Sequence, residues 1–250
     1  MAPSPLISSI VVFALALAGG LWGSVRRIGE ERLHIALAFA AGFFLGATFL
    51  DLLPAAFMSD VDMEPSTIGA LALLGFLIIY VVERGLAPGG GAESHIDEHV
   101  VVALTALFGL SAHSIAEGGA LLVASHGGAT GESVLLSIGL HKGIAGLALG
   151  SLFGLANFPK KKTAVLLVVF ALMTPLGAVI SSLLLASGGL AEQNAYFTVI
   201  TAISSGVFLY VATVDILPEV LHSRASMPLK LLLVALGAAV MWGITVIEHS

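Results

Sequence analysis

Polar residues divide this 250-residue chain into eight long apolar runs. They cover 6–25, 33–58, 67–82, 100–125, 133–158, 163–186, 195–221 and 229–247, and short polar connections separate them. Crossing about 30 Å of hydrocarbon takes about 20 apolar residues in a helix. The pattern therefore predicts an all-α integral membrane protein: eight transmembrane helices in one polytopic domain over 1–250, with no room for a soluble domain. The third connection is a flexible break, Gly85-Leu86-Ala87-Pro88-Gly89-Gly90-Gly91-Ala92, followed by Ser94-His95-Ile96-Asp97-Glu98-His99. Ser94 reads there as a helix cap with Asp97 reaching back. The other reading is a weak cytoplasmic metal trap made of His95, Asp97 and His99.

A second regularity lies inside the runs. Aligning 41–59 with 205–223 at an offset of 164 pairs Gly42 with Gly206, Phe44 with Phe208, Leu45 with Leu209, Asp51 with Asp215, Leu53 with Leu217, Pro54 with Pro218 and Ser59 with Ser223. These positions belong to the second and seventh runs, which cross in opposite directions. An inverted repeat is the architecture of secondary transporters, whose site lies near the midplane at the repeat interface. The fourth and fifth runs echo each other at an offset of 28, with His113 on His141, Gly118 on Gly146, Ala120 on Ala148 and Leu121 on Leu149. A 3+2+3 inverted-repeat plan follows.

Composition agrees with the hydropathy pattern and narrows the partners. With 58% hydrophobic and 10% charged residues and a mean hydropathy of +1.05, the chain cannot coat a water-soluble globule. A net charge of -6 with ten scattered basic residues excludes nucleic acid as a partner, because phosphate binding needs a lysine and arginine surface. The absence of cysteine removes disulfides, thiolate metal sites and cysteine nucleophiles together. Arg26, Arg27, Arg32, Arg84, Lys160, Lys161, Lys162, Arg224 and Lys230 all fall in or beside odd-numbered connections, which the positive-inside rule assigns to the cytoplasm. Both termini are then extracytoplasmic. Met1 to Pro5 carry no basic side chain, so the first run reads as a retained helix rather than a cleaved signal.

The remaining basic residue, Lys142, lies inside a run, as do His113, Glu117 and His141. A charge at that depth costs about 2.5 to 3.5 kcal/mol even on lenient insertion scales, so something must offset it. His113 and Glu117 are four apart and share a helix face, which offers an imidazole nitrogen and a carboxylate oxygen to a divalent ion. A buried His–Glu hydrogen bond tying helices together is the plainer alternative. His141 on the next helix is the natural third ligand, with Ser114 and water completing the shell. Gly139, Gly143, Gly146 and Gly150, with Gly118 and Gly119 opposite, are expected to let the two motif helices approach closely. Lys142 reads as a snorkelling side chain, as the counter-ion of Glu117 or another carboxylate, or as a Schiff-base lysine. Asp51, Asp215 and Glu219 sit near the ends of the repeated helices, as carboxylates of an ion pathway or as caps for backbone groups freed by Pro54 and Pro218. Glu83 and Arg84 read as an interfacial ion pair. Without thiolates, such ligands suit Zn2+, Fe2+, Mn2+ or Cd2+ and give no ranking among them. No cofactor is expected.

His113-Ser114-x-x-Glu117-Gly118, His141-Lys142-Gly143, Asp51-Leu52-Leu53-Pro54, Met173-Thr174-Pro175-Leu176-Gly177 and Asp215-Ile216-Leu217-Pro218-Glu219 together resemble the ZIP (Zrt/Irt-like) family of divalent metal transporters. The resemblance covers most of the chain, and His-Lys-Gly is similar to the branch called subfamily II. It implies zinc uptake towards the cytoplasm, a homodimer in a plasma or inner membrane, and an elevator-like movement of the first, fourth, fifth and sixth helices against the other four. Many members place asparagine where Ser114 stands, a carboxylate at the Lys142 position and a further metal-binding side chain at the Ala145 position, building a two-metal centre. Lys142 is therefore expected to occupy the region of the second ion and leave one transported metal on His113, Glu117 and His141, with uptake falling as histidines protonate. The alternative function is an intramembrane metal-dependent hydrolase using the same His and Glu with a metal-bound water, although the chain has no His-Glu-x-x-His. A purely structural membrane protein would leave the burial of these four side chains without a reason.

Overall fold

The computed structural model describes residues 5–24, 30–86, 98–124, 129–222 and 226–248, and all regular structure in them is helical. The helices are α1 (Pro5–Gly23), α2 (Glu30–Gly46), α3 (Leu53–Phe57), α4 (Pro65–Leu86), α5 (Glu98–Ala124), α6 (Ala129–Leu155), α7 (Lys160–Tyr210), α8 (Leu217–His222) and α9 (Met227–Glu248). Among the described residues, eight stretches are long and apolar enough to cross a membrane: Leu6–Gly23, His34–Phe57, Pro65–Gly85, His99–Leu122, Leu135–Leu155, Lys160–Ser187, Asn194–Leu221 and Met227–Ile247. That is the number the hydropathy pattern predicts. Large apolar side chains such as Trp22, Val81, Leu183 and Leu232 stand outward, an arrangement that suits hydrocarbon around a structure whose backbone groups are satisfied within helices. The protein is a multi-pass integral membrane protein. Ser94, His95 and Asp97 lie outside the described residues, as do Arg26, Arg27 and Arg224.

The sixth and seventh runs, expected as separate helices, form one continuous helical stretch, α7. Thr174 and Phe197 nevertheless reach consecutive residues of α5: the Thr174 carbonyl lies against Gly118 and the Phe197 ring against Gly119. In a straight helix those two positions would stand about 35 Å apart. The stretch therefore folds back on itself between them, and its two arms serve as two crossings.

Glycines decide which helices come closest. A Cβ on Gly19 would collide with the Gly143 carbonyl and one on Gly146 with the Ala16 carbonyl, which locks α1 to α6. Gly118 meets the Thr174 carbonyl and Gly177 the Ile115 carbonyl, locking α5 to the first arm of α7. Gly42 with Val234 and Gly237 with Phe39 join α2 to α9, while Gly75 with Ile203 and Gly206 with Ala72 join α4 to the second arm of α7. Lipid tails are as apolar as leucine, so this close van der Waals approach, rather than exclusion of water, holds such helices together. The expectation that these glycines would bring α5 and α6 together is corrected: they face α1 and α7. Gly206→Val is expected to lower the melting temperature in detergent by several degrees, since overpacking a tight contact costs about 1 to 3 kcal/mol. Gly69→Ala, where a Cβ meets nothing within 4 Å, should leave it unchanged or raise it.

Two π-helical segments interrupt the ladder. Ala47–Leu52 sits between α2 and α3, and Val211–Ile216 between α7 and α8. Each ends in the same wide bond, Leu53 N–H to the Thr48 carbonyl and Leu217 N–H to the Ala212 carbonyl. Each carries one of the repeated aspartates and is followed by the repeated proline. Such bulges are rare and concentrate at functional places in helices. Glu83 and Arg84, expected to pair with each other, do not: Glu83 accepts the Tyr210 hydroxyl, and Arg84 lies 5.4 Å from the centre of the Tyr80 ring.

Candidate metal centre

Neighbouring α5 and α6 bring the motif residues together at mid-height. His113 and Glu117 are one turn apart on α5, and the imidazole Nε2 stands 3.4 Å from Glu117 Oε1. His141 of α6 places its Nε2 3.9 Å from the same oxygen. One ligand atom from each of the three residues lies within 4.8 Å of the other two, the only such group of three among the described residues. All three side chains are buried, with Glu117 the most exposed at 8%. Both nitrogens of His113 and Nε2 of His141 have no hydrogen-bond partner. Buried polar atoms are almost always satisfied, and an unmade bond at such a group costs about 1 to 3 kcal/mol. The Nε2 atoms of His113 and His141 converge on one carboxylate oxygen, an arrangement of three ligand atoms that can hold a cation.

The other half of Glu117 is taken. Lys142, 1% exposed, extends its ammonium to Glu117 Oε2 and to the Ser114 hydroxyl, and stands 5.0 Å from the centre of the Phe170 ring. Of the three readings open for Lys142, counter-ion to Glu117 is the one this geometry realises. Ser114 is drawn into the same arrangement: its hydroxyl donates to the Leu110 carbonyl at 2.5 Å and accepts from Lys142, so it sits with the lysine rather than with the three converging atoms.

Aromatic rings from α2 and the second arm of α7 pack on the imidazoles. Phe208 meets His113 edge-on with centroids 4.5 Å apart, Phe43 meets His141 at 5.1 Å, and the two imidazoles stack at 5.3 Å. Phe44 and Phe208, paired by the repeat, touch each other at 5.2 Å. Edge-to-face contacts of this kind orient rings as well as bury them. Phe43 and Phe208 were not legible as site residues; the only signal was the Phe44–Phe208 identity in the repeat.

The remaining candidates lie apart from the three-residue group. Asp51 is half-buried in the first π segment. Asp215 is buried in the second and accepts from the Thr105 hydroxyl at 3.0 Å. Glu219 of α8 is 3.0 Å from His34 Nε2 and 3.5 Å from His99 Nδ1, tying α2, α5 and α8 together. His99 thus faces Glu219, and His34, a histidine at the start of an apolar run, was not singled out by spacing.

A family model described as ZIP Zinc transporter matches residues 85–245. Zinc transporter ZIP1 of Mus musculus is 24% identical, over 97% of this chain and 87% of its own length. Zinc transporter ZIP1 of Homo sapiens is 26% identical over 90% of this chain and 81% of its own, and Zinc transporter 6, chloroplastic, of Arabidopsis thaliana is 23% identical over 83% and 80%. The matched region holds both motif helices with their buried His, Glu and Lys side chains. This chain belongs to the ZIP zinc transporter family.

Proposed function

We propose that the protein carries a divalent metal ion, zinc foremost, across the membrane towards the cytoplasm, holding it at one midplane site on His113, Glu117 and His141. One observation carries this reading: three buried ligand atoms within 4.8 Å of one another, two of them imidazole nitrogens with no other partner. Neutral imidazole and carboxylate suit Zn2+ and also Fe2+, Mn2+ and Cd2+. The relatives' names favour zinc. The Lys142 ammonium, on Glu117 Oε2, fills with a single fixed charge the region where a second ion would need that oxygen.

Alternating access by an elevator movement is supported by the way the helices group. The described glycines that meet a neighbouring backbone join α1 to α6, α5 to the first arm of α7, α2 to α9 and α4 to the second arm, and none joins the first two pairs to the last two. Gly109 and Gly119, which face across from one group to the other, meet only the side chains of Val207, Val211 and Phe197. Interlocked backbones move as one body, whereas side-chain contacts can slide. The 3+2+3 inverted repeat is supported by the same contacts. Moving Gly42 by 164 positions gives Gly206, and moving Ala72 by 162 gives Val234; the pairs Gly42–Val234 and Gly206–Ala72 are thus repeat images. Moving Gly118 by 28 gives Gly146, and moving Ala16 by 158 gives Thr174, which relates Gly118–Thr174 to Gly146–Ala16 in the same way.

The distribution of basic residues supports extracytoplasmic termini, and the family resemblance supports a homodimer in a plasma or inner membrane, with 1–250 acting as one polytopic domain. A hydrolase would need a free general base beside the metal, and the Glu117 carboxylate is held by Lys142. The test is uptake into proteoliposomes with Fe2+, Mn2+ and Cd2+ as competitors, combined with elemental analysis. Saturable Zn2+ uptake and one bound ion per subunit are expected. No uptake of any of the four ions would overturn the transport reading, and two tightly held ions per subunit would overturn the single site.

A further inference from the structure

In the elevator reading, α1, α5, α6 and the first arm of α7 form the body that carries the metal ligands. Its four crossings are Leu6–Gly23, His99–Leu122, Leu135–Leu155 and residues 163–187 of the first arm. Across all four, Glu117 is the only carboxylate and Lys142 the only lysine or arginine. Both side chains are buried. The Lys142 ammonium has three partners: Glu117 Oε2 and the Ser114 hydroxyl on α5, and the Phe170 ring on the first arm, whose centre lies 5.0 Å away. All three stand on the same body as the lysine. The other helices reach the site through Phe43 and Phe208, and those rings pack on the imidazoles. The ion pair can therefore travel with its body unbroken, while Glu117 Oε1 faces His113 and His141.

We infer that Lys142 is a built-in counter-ion for the return of the empty carrier, which makes the protein an electrogenic uniporter: two charges move with each zinc, and no proton or other ion moves in exchange. The inference rests on the proposed single-site transport and elevator movement. Such a carrier crosses twice in each cycle, once loaded and once empty. A lone carboxylate in the empty site would have to cross as an uncompensated charge, which hydrocarbon opposes, or recruit another cation for the journey. With Lys142 attached, one negative and one positive charge sum to zero, and neutral imidazoles add nothing. The emptied body then crosses without net charge. The loaded body carries the two charges of the ion on top of that zero, so the membrane potential acts on the loaded crossing alone.

Two fluxes in proteoliposomes separate the crossings. Net uptake into zinc-free vesicles needs the empty return, whereas exchange of labelled zinc between vesicles and medium that both hold zinc needs only the loaded crossing. Lys142→Met is expected to cut net uptake at least about tenfold more than exchange, because removing one partner of a buried pair penalises the empty state most. A lysine that only braced the fold would lower both fluxes alike. In the wild type, zinc is left to reach its final distribution under a potassium diffusion potential, with and without a proton gradient. The inside-to-outside ratio is expected to change tenfold for each step of about 30 mV, as two charges require, and to ignore the proton gradient. Measurable but equally reduced fluxes in the variant, a ratio that follows the proton gradient, or fewer than two charges per zinc would each overturn the counter-ion role and leave transport standing. Should the variant carry neither flux, the wild-type charge count decides alone. No zinc flux of either kind in the wild type would instead overturn the transport reading.

Discussion

His113→Ala and Glu117→Ala are each expected to cut zinc uptake in proteoliposomes by about 100-fold or more while the protein still inserts and purifies. Removing even an outer-shell partner of a metal ligand costs about 10 to 100-fold in affinity, and these residues would be ligands themselves. Three protein ligands leave no redundancy: without Glu117 the ion would keep two imidazoles and face the Lys142 ammonium with no negative charge between them. His113→Ala removes one nitrogen and opens a void beside Phe208, whose ring now lies 4.5 Å from the imidazole. Stopped uptake with an unchanged elution profile would place both residues in the ion's path. Uptake within twofold of wild type in both variants would remove them from it.

The second large effect belongs to Lys142. Lys142→Met keeps the length and apolar stem but leaves Glu117 as an uncompensated buried charge. Breaking a buried pair by removing one partner costs about 3 to 5 kcal/mol, so in the presence of chelator the variant should melt many degrees below wild type. Zinc should restore much of that loss, because the freed Glu117 Oε2 becomes available to the ion and binding to the folded state stabilises it by mass action. The decisive quantity is the zinc-induced rise in melting temperature, expected to be larger in the variant than in wild type. An equal or smaller rise would mean that Lys142 does not compete with metal for the carboxylate.

Much of this centre was legible in the linear chain. His113, Glu117 and His141 stood out because apolar runs cannot hold ionisable groups without compensation, and their spacing of four put two of them on one face. Lys142 was visible as an anomaly for the same reason, although three partners remained open to it. Its link to Glu117 and Ser114 depends on how α6 is rotated against α5, and the low helical asymmetry of so apolar a sequence does not encode that rotation. The roles of the glycines were misjudged on the same ground. Gly143 and Gly146 lie beside His141 in sequence, yet on the helix they turn towards α1, leaving α5 and α6 to meet through larger side chains. Phe43, Phe208 and His34 carried no local signal, since a phenylalanine in a membrane helix is ordinary and a single histidine at a helix end is common.

Hydropathy set the number of crossings, because each needs a fixed length of apolar chain, and the repeat set which helices correspond, because identities at a constant offset survive in one dimension. Facing is a different kind of property. Which of the four sides of a helix meets which neighbour is the outcome of many weak contacts summed over the whole bundle, and the folded structure decided it. It drew Lys142 onto Glu117, turned the phenylalanines onto the imidazoles, and joined Asp215 to Thr105.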